Sequence, residues 1–318
     1  MQTTPSDAIA TSAVLPDVGE LRVAIVGYGE VGRILGAALE AAGVRVVIAF
    51  DELIIDTGWR ESARARASRD NVQLARTNRD ATVTAHLVIC AVTAASTMAA
   101  SEEIAAHCAK GAYVLDVNSA SPATKKRCAT MVENAQGRYV EAAVMTSVPP
   151  HGIRAPMLLG GPHAALLLPH LQRLGFNATV GATTFGVVSA TKLCRSVVIK
   201  GMEALIIGSL LAARRYGVER EVLASLADTF PGMDWERQAT YFWRRVVAHG
   251  RRRAEEMCEA ASMVEDAGVT PHMARATVDV QGAIAALRST GIFEDAEAAD
   301  WRELADAVHT VARGRARG

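Results

Sequence analysis

A glycine-rich turn set between two different periodicities constrains this 318-residue chain more than any other feature. Gly27-Tyr28-Gly29-Glu30-Val31-Gly32 begins where an apolar run, Leu21-Arg22-Val23-Ala24-Ile25-Val26, ends, and it opens into a helical pattern over residues 34–42. Asp51 stands at the end of the next apolar run, residues 44–50. A strand that feeds a helix through G-x-G-x-x-G, with an acidic residue after the second strand, has the layout of a dinucleotide-binding β-α-β unit. Gly27 would allow the tight turn, Gly29 would let the backbone approach a pyrophosphate, and Gly32 would let helix and strand pack closely. The pyrophosphate would rest on the helix N-terminus, where free N–H groups and the dipole favour an anion. Without that context the same residues would be a turn that binds nothing.

The pattern that follows extends the β-α alternation. Residues 23–26, 44–49, 87–92, 113–116 and 139–143 are short apolar runs suited to buried parallel strands, and 157–159 and 178–180 are further candidates. Helical stretches lie between them at 98–110 and 162–174. Another starts at Ser121-Pro122, where Ser caps and Pro takes the first helical position. After Gly186 the character changes. Val187–Tyr216 lacks proline and reads as one long helix, followed by helices over 219–227, 234–263, 272–287 and 295–313, with a frayed tail over 313–318. The fold class is therefore α/β: a doubly wound Rossmann domain over 21–185 after a flexible leader, 1–20, and then an all-α domain over 186–318. A long helix apolar on most faces has to bury them, and a second subunit, giving a homodimer, is the expected partner.

Charge and composition exclude several classes. Thirty-four basic residues balance 34 acidic ones, which argues against a nucleic-acid partner. No apolar run reaches the roughly 18 residues needed to span a bilayer, so no membrane partner is expected. Residues 1–20 lack a cationic start and a long apolar core, so a cytoplasmic location is expected. The five cysteines are scattered, as reduced thiols are, and neither they nor the eight histidines have metal-ligand spacing.

Several segments carry candidate chemistry. Asp51 would bond the adenine ribose diol and repel a 2′-phosphate, favouring NAD over NADP, or would merely cap the next segment. Arg60, Arg64 and Arg66 are near enough to accept a 2′-phosphate. Val92 and Thr93 follow the fourth strand and Asn118 and Ser119 the fifth, at the carboxyl edge where open α/β sheets bind cofactors. Ser119 alone is equally at home in a plain turn. A third segment runs from Glu141 through Met145, Thr146 and Ser147 to His151, which is an acid/base group or simply a solvated loop residue. In the long helix, Lys192, Ser196 and Lys200 share one face at i, i+4 and i+8. Lysines on an apolar face need partners or a task, unless they snorkel to water. A lysine beside a cofactor cleft can serve as a general acid/base. His249 and Arg252 or Arg253 lie on a charged stretch that is either solvated or faces an anionic substrate.

Taken in order, these motifs resemble the β-hydroxyacid dehydrogenase family, relatives of 6-phosphogluconate dehydrogenase and 3-hydroxyisobutyrate dehydrogenase. The resemblance covers nearly all of residues 21–290. Residues 27–32 match the family's cofactor loop, and Asp116 to Pro122 is similar to its D-x-S-T-x-S-P substrate segment, with Ser119 at the substrate-contacting position. Lys192 falls on the family's catalytic lysine. Met145-Thr146-Ser147 replaces the S-G-G that binds substrate carboxylate, and Arg195-Ser196 replaces the N-N after the lysine. These departures resemble a distinct branch with an atypical C-terminal domain and no assigned activity.

The resemblance implies an NAD(P)-dependent oxidoreductase acting on a small, anionic β-hydroxyacid or related hydroxy compound. Lys192 would be the acid/base, Ser119, Thr146, Ser147 and Ser196 would orient the substrate, and Arg195, Lys200, His249 and Arg252 would offer positive charge. Imine reductases share this fold but lack the lysine, so C=N reduction is the alternative. The third reading is a protein that binds NAD(P) without turnover.

Overall fold

The computed structural model of the chain describes residues 14–293 and 296–315. Two compact units divide it, Met1–Lys192 and Leu193–Gly318. The expected boundary at residue 185 lies earlier, because the first turns of the long helix belong to the first unit.

The first unit is built on an eight-stranded sheet in the order β3-β2-β1-β4-β5-β6-β7-β8. Its strands are β1 (Arg22–Val26), β2 (Val46–Phe50), β3 (Gln73–Leu74), β4 (Leu87–Cys90), β5 (Tyr113–Asp116), β6 (Arg138–Val144), β7 (Met157–Gly160) and β8 (Ala178–Ala182). All neighbours are parallel except the antiparallel pair β6 and β7. The helices are α1 (Glu30–Ala41), α2 (Thr57–Arg69), α3 (Asn78–Thr82), α4 (Thr97–His107), α5 (Pro122–Asn134) and α6 (Ala164–Arg173).

Alternation within the strands explains why both faces are covered. In β1, Val23 and Ile25 join one core with Leu35 and Leu39 of α1, while Ala24 and Val26 join another with Ile104 of α4 and Val132 of α5. A mostly parallel sheet buried on both faces is the doubly wound architecture. Strand order reverses between β1 and β4, and ligands of such sheets bind outside the carboxyl ends at that point.

Three features depart from expectation. Helix α2 has no apolar stripe, burying only Ala63 and Ala67, so periodicity could not show it. Residues 15–20 are not a free leader: Leu15 is buried in the first core, and the Val18 carbonyl accepts the Arg45 N–H at 3.2 Å. Residues 1–13 lie outside the described residues, as do 316–318 of the expected tail. Finally, Val187–Tyr216 contains an 18-residue window of mean hydropathy 1.7, enough by length and composition to cross a membrane. The expectation that no run is long enough counted unbroken apolar residues, whereas mean hydropathy averages across isolated charges. Of that window 44% is buried, and core helices pass the same test.

The second unit holds most of α7 (Val187–Tyr216), then α8 (Glu219–Thr229), α9 (Trp235–Asp266), α10 (His272–Arg288) and α11 (Trp301–Arg315). Trp235, Trp243 and Trp301 anchor its core with Ile207, Leu210 and Val246. Asp234 caps α9 by accepting the Arg237 N–H at 3.1 Å. Gly250 lets α9 approach α10, since a Cβ there would fall 2.8 Å from the Gln281 carbonyl oxygen.

Candidate functional site

The glycine loop is shaped by contacts at two positions and left open at the third. Gly27 has φ +95°, and a Cβ on it would come within 2.5 Å of the Ala91 carbonyl oxygen, so only glycine fits between β1 and the end of β4. A Cβ on Gly32 would come within 1.9 Å of the Gly27 oxygen. Around Gly29 a Cβ would meet nothing within 4 Å. Gly29 is also the N-cap of α1, and no side chain caps that helix. The helix start is thus left without a side-chain cap, and a ligand's approach is the reason visible here for glycine at 29.

The neighbours of the loop are arranged around it. Asp51 accepts the Tyr28 N–H at 2.7 Å through one oxygen and the Leu53 N–H at 3.0 Å through the other. It is both a cap for a short 3-10 turn and a tie between the end of β2 and the loop. The Tyr28 ring is buried in the core, so its side chain points away from the cradle. Glu30 is exposed at the first turn of α1, and Val31 is half-buried behind it. The carboxylate suits the helix dipole but has the sign of a pyrophosphate. The residues present thus fit a dinucleotide: an open N-terminus, a glycine cradle and an acidic residue at the end of β2. Arg64 is exposed, Arg60 and Arg66 are half-buried, and Arg66 bonds Ser62 within α2.

A buried polar bracket lies behind the carboxyl ends of β4 and β5. Asp116 is fully buried, with Lys125 Nζ 2.8 Å from Oδ1 and the Tyr139 hydroxyl donating to Oδ2 at 2.6 Å. The Asn118 N–H donates to Oδ1 at 2.9 Å, and Lys125 also donates to the Asp116 carbonyl at 3.0 Å. Burial, and Asp116 beside it, hold the Tyr139 phenol well above its usual range. This bracket fixes the segment that presents Asn118 and Ser119. Asn118 is buried, its amide nitrogen is 3.2 Å from Cys90 Sγ, and its Oδ1 has no partner among the described residues. Ser119 is half-buried, and Ser121 caps α5 as expected. Burial pushes the Cys90 thiol up to about 12, which leaves it inert. At the β4 end Val92 is half-buried and Thr93 exposed.

Lys125 was not singled out from the sequence, yet its signal was there. It shares a helical face with Cys128, Ala129 and Val132, all buried, at i+3, i+4 and i+7. Glu141 opens the third of the candidate segments, and no sequence pattern marks it further. It is fully buried in β6, where it accepts N–H groups from Gly186 and Val188 at the start of α7. Beyond β6, Met145 and Ser147 are half-buried, while Thr146 and His151 are exposed. The loop then folds back so that Val148 and Ala155 join the core. Lys192 is half-buried on α7.

In the second unit, the charged residues mostly face one another. Lys200 is buried with Nζ 2.5 Å from Glu256 Oε2; burial pushes its ammonium down and Glu256 pulls it back up. Its charge is therefore spent internally. Arg253, not Arg252, is the buried arginine, paired with the fully buried Glu203, which Gln281 also reaches at 3.3 Å. The phase Val246-Gly250-Arg253-Met257 placed it on the inner face. Arg252 is exposed, 4.0 Å from Glu256 one turn on, and His249 is half-buried. Ser196 is buried and Arg195 exposed.

Residues 22–180 match the NAD-binding domain of 6-phosphogluconate dehydrogenase, and residues 213–284 match a domain of unknown function, DUF1932. A conserved hypothetical protein from Sinorhizobium meliloti 1021 is 31% identical, with a TM-score of 0.67 over 94% of this chain and 98% of its own. A Mycobacterium tuberculosis 3-hydroxyisobutyrate dehydrogenase, solved with L-serine, shares the fold at TM-score 0.63 and 17% identity over 92% of this chain and 99% of its own. An Aspergillus terreus imine reductase, solved with a nicotinamide cofactor, does so at TM-score 0.53 and 18% identity over 90% and 99%. The glycine cradle, the sheet order and these matches agree: the chain belongs to the NAD(P)-binding 6-phosphogluconate dehydrogenase-like family, whose fold is that of the 3-hydroxyisobutyrate dehydrogenases, and carries a DUF1932 C-terminal domain.

Proposed function

We propose that this chain is an oxidoreductase that moves a hydride between nicotinamide and a small β-hydroxyacid or related hydroxy or carbonyl compound, with Lys192 as general acid/base. The observation that carries the reading is that one unit holds the open glycine cradle, the bracketed Asn118–Ser119 segment and the helix start bearing Lys192. Bound at the cradle, the cofactor would donate or accept the hydride at its nicotinamide. Asp51 at the end of β2 favours NAD. Lys192 would hold the hydroxyl proton of the alcohol or return it to the carbonyl oxygen. Ser119, Thr146 and Ser147 would orient the substrate. Lys200 is neutralised by Glu256, whereas Arg195 is exposed on α7. Retention of Lys192 favours C–O over C=N chemistry.

The test is Lys192→Ala, assayed on a panel of β-hydroxyacids and cyclic imines by NAD(P)H absorbance. Turnover of the hydroxyacid should fall by about 10²–10⁴-fold while NADH binding persists. Retained turnover removes Lys192 from the mechanism, and reduction of imines alone favours the alternative. We also propose a homodimer through the second unit. Val198 and Leu205, 60% and 62% exposed and seven residues apart on α7, form an apolar stripe that a second copy would cover. Sedimentation should report twice 33.7 kDa, and a monomer at assay concentrations contradicts the dimer.

A further inference from the structure

We propose that Glu141 is the positioning residue for Lys192: its buried carboxylate sets the first turn of the helix that carries the lysine. The proposal rests on reading Lys192 as the acid/base group.

Glu141 is the one carboxylate in an otherwise apolar β6 interior, flanked by Val140 and Ala142, and it is 0% exposed. Both of its oxygens accept the Gly186 N–H at 3.0 Å, and Oε1 also accepts the Val188 N–H at 3.3 Å. Ser189 Oγ lies 3.5 Å from Oε2 and 3.1 Å from the Gly186 carbonyl. These N–H groups are the ones a helix start leaves without internal partners, and the helix dipole adds to their attraction for a carboxylate. Helices are ordinarily capped by their own N-cap side chain. Here the cap comes from a central strand 45 residues earlier, so it ties the helix start to the sheet instead of closing it locally.

The surroundings are cut to fit this cap. On the neighbouring β7, a Cβ on Gly160 would fall 2.7 Å from Glu141 Oε1 and 2.9 Å from its Cγ. Gly186 has φ +96°, and a Cβ there would come within 3.2 Å of Pro122 and 3.0 Å of Lys126 on α5. Phe185, just before it, packs edge-on against Tyr139 with ring centroids 5.6 Å apart. Glu141 is also the register partner of Asp116 in the adjacent strand. Two carboxylates thus stand side by side, one closed by Lys125 and Tyr139, the other by the helix start. Together they hold the Ser119 segment and the lysine helix in one frame. Lys192 lies five residues beyond Val187, about 7.5 Å along the axis, so a shift of the first turn carries directly to its amine. Misplacement by about 1 Å can cost on the order of 10²-fold in rate.

Two variants test this, Glu141→Gln and Gly160→Ala. The first keeps the shape but offers an NH₂ where an acceptor is needed; the second pushes the carboxylate aside without removing its charge. Lys192 acylation by acetic anhydride, followed by mass spectrometry across pH with the exposed Lys110 as internal reference, reads the lysine without needing a substrate. Removing a carboxylate from the helix start disfavours the ammonium, so the Lys192 midpoint in Glu141→Gln should move down by about half a unit with Lys110 unmoved. In Gly160→Ala the Lys192 labelling profile should depart from wild type. In both, kcat on the hydroxyacid panel should fall by about 10–10²-fold while NADH affinity holds. If Glu141→Gln fails to fold, Gly160→Ala decides. Folded variants with wild-type Lys192 labelling and wild-type kcat overturn the proposal, and loss of turnover in Lys192→Ala beside that result leaves the acid/base reading intact. If Lys192→Ala keeps full turnover while Glu141→Gln shifts the labelling, the acid/base reading falls and the positioning stands.

Discussion

The two units bury charge in different ways. In the first, Asp116 and Glu141 are both fully buried, and each accepts main-chain N–H groups: Asn118 for one, Gly186 and Val188 for the other. In the second, Glu203 and Glu256 meet side chains, Arg253 and Lys200, across α7 and α9. A carboxylate bonded to main chain holds a loop or a helix start in place, whereas side-chain pairs fix how two helices register. The first arrangement fixes the segments of the candidate site, and the second fixes a pair of core helices. Buried charge alone therefore does not single out the candidate site; what the charge holds separates the two units.

Breaking either arrangement should cost stability, and only one should cost the site. Glu203→Ala leaves Arg253 buried without its partner, for which about 3–5 kcal/mol is expected in denaturant unfolding, with NADH affinity of the folded protein unchanged. Asp116→Ala strands Lys125 at a similar cost, and it should also weaken NADH binding or turnover because the Asn118–Ser119 segment is released. If Asp116→Ala alters stability alone, the comparison fails. Arg252→Ala calibrates the scale. It is an exposed arginine 4.0 Å from Glu256, and its loss should change stability by no more than about 1 kcal/mol.

Most of the sheet was legible because each buried strand is a short apolar run bounded by a turn, and β5 and the long helix α7 begin and end where expected. Helix α2 and the two-residue β3 were not legible, since neither carries an apolar period. The antiparallel β6–β7 pair was also hidden, because strand direction leaves no mark on such runs. At the site, the glycine loop and Asp51 could be read from spacing alone. Lys125 and Arg253 could have been found by helical phase, which separates the buried Arg253 from the exposed Arg252. Glu141's partners are main-chain N–H groups 45 residues away, which no side-chain pattern reveals.

The most direct test is calorimetric titration of NADH into the wild-type chain and into Gly29→Val. Valine at 29 would project into space where a Cβ meets no atom of the described residues within 4 Å, so the variant should fold as the wild type does. The account predicts saturable NADH binding to the wild type and its loss in Gly29→Val at unchanged thermal stability. Equal binding by both, or none by the wild type, would contradict it.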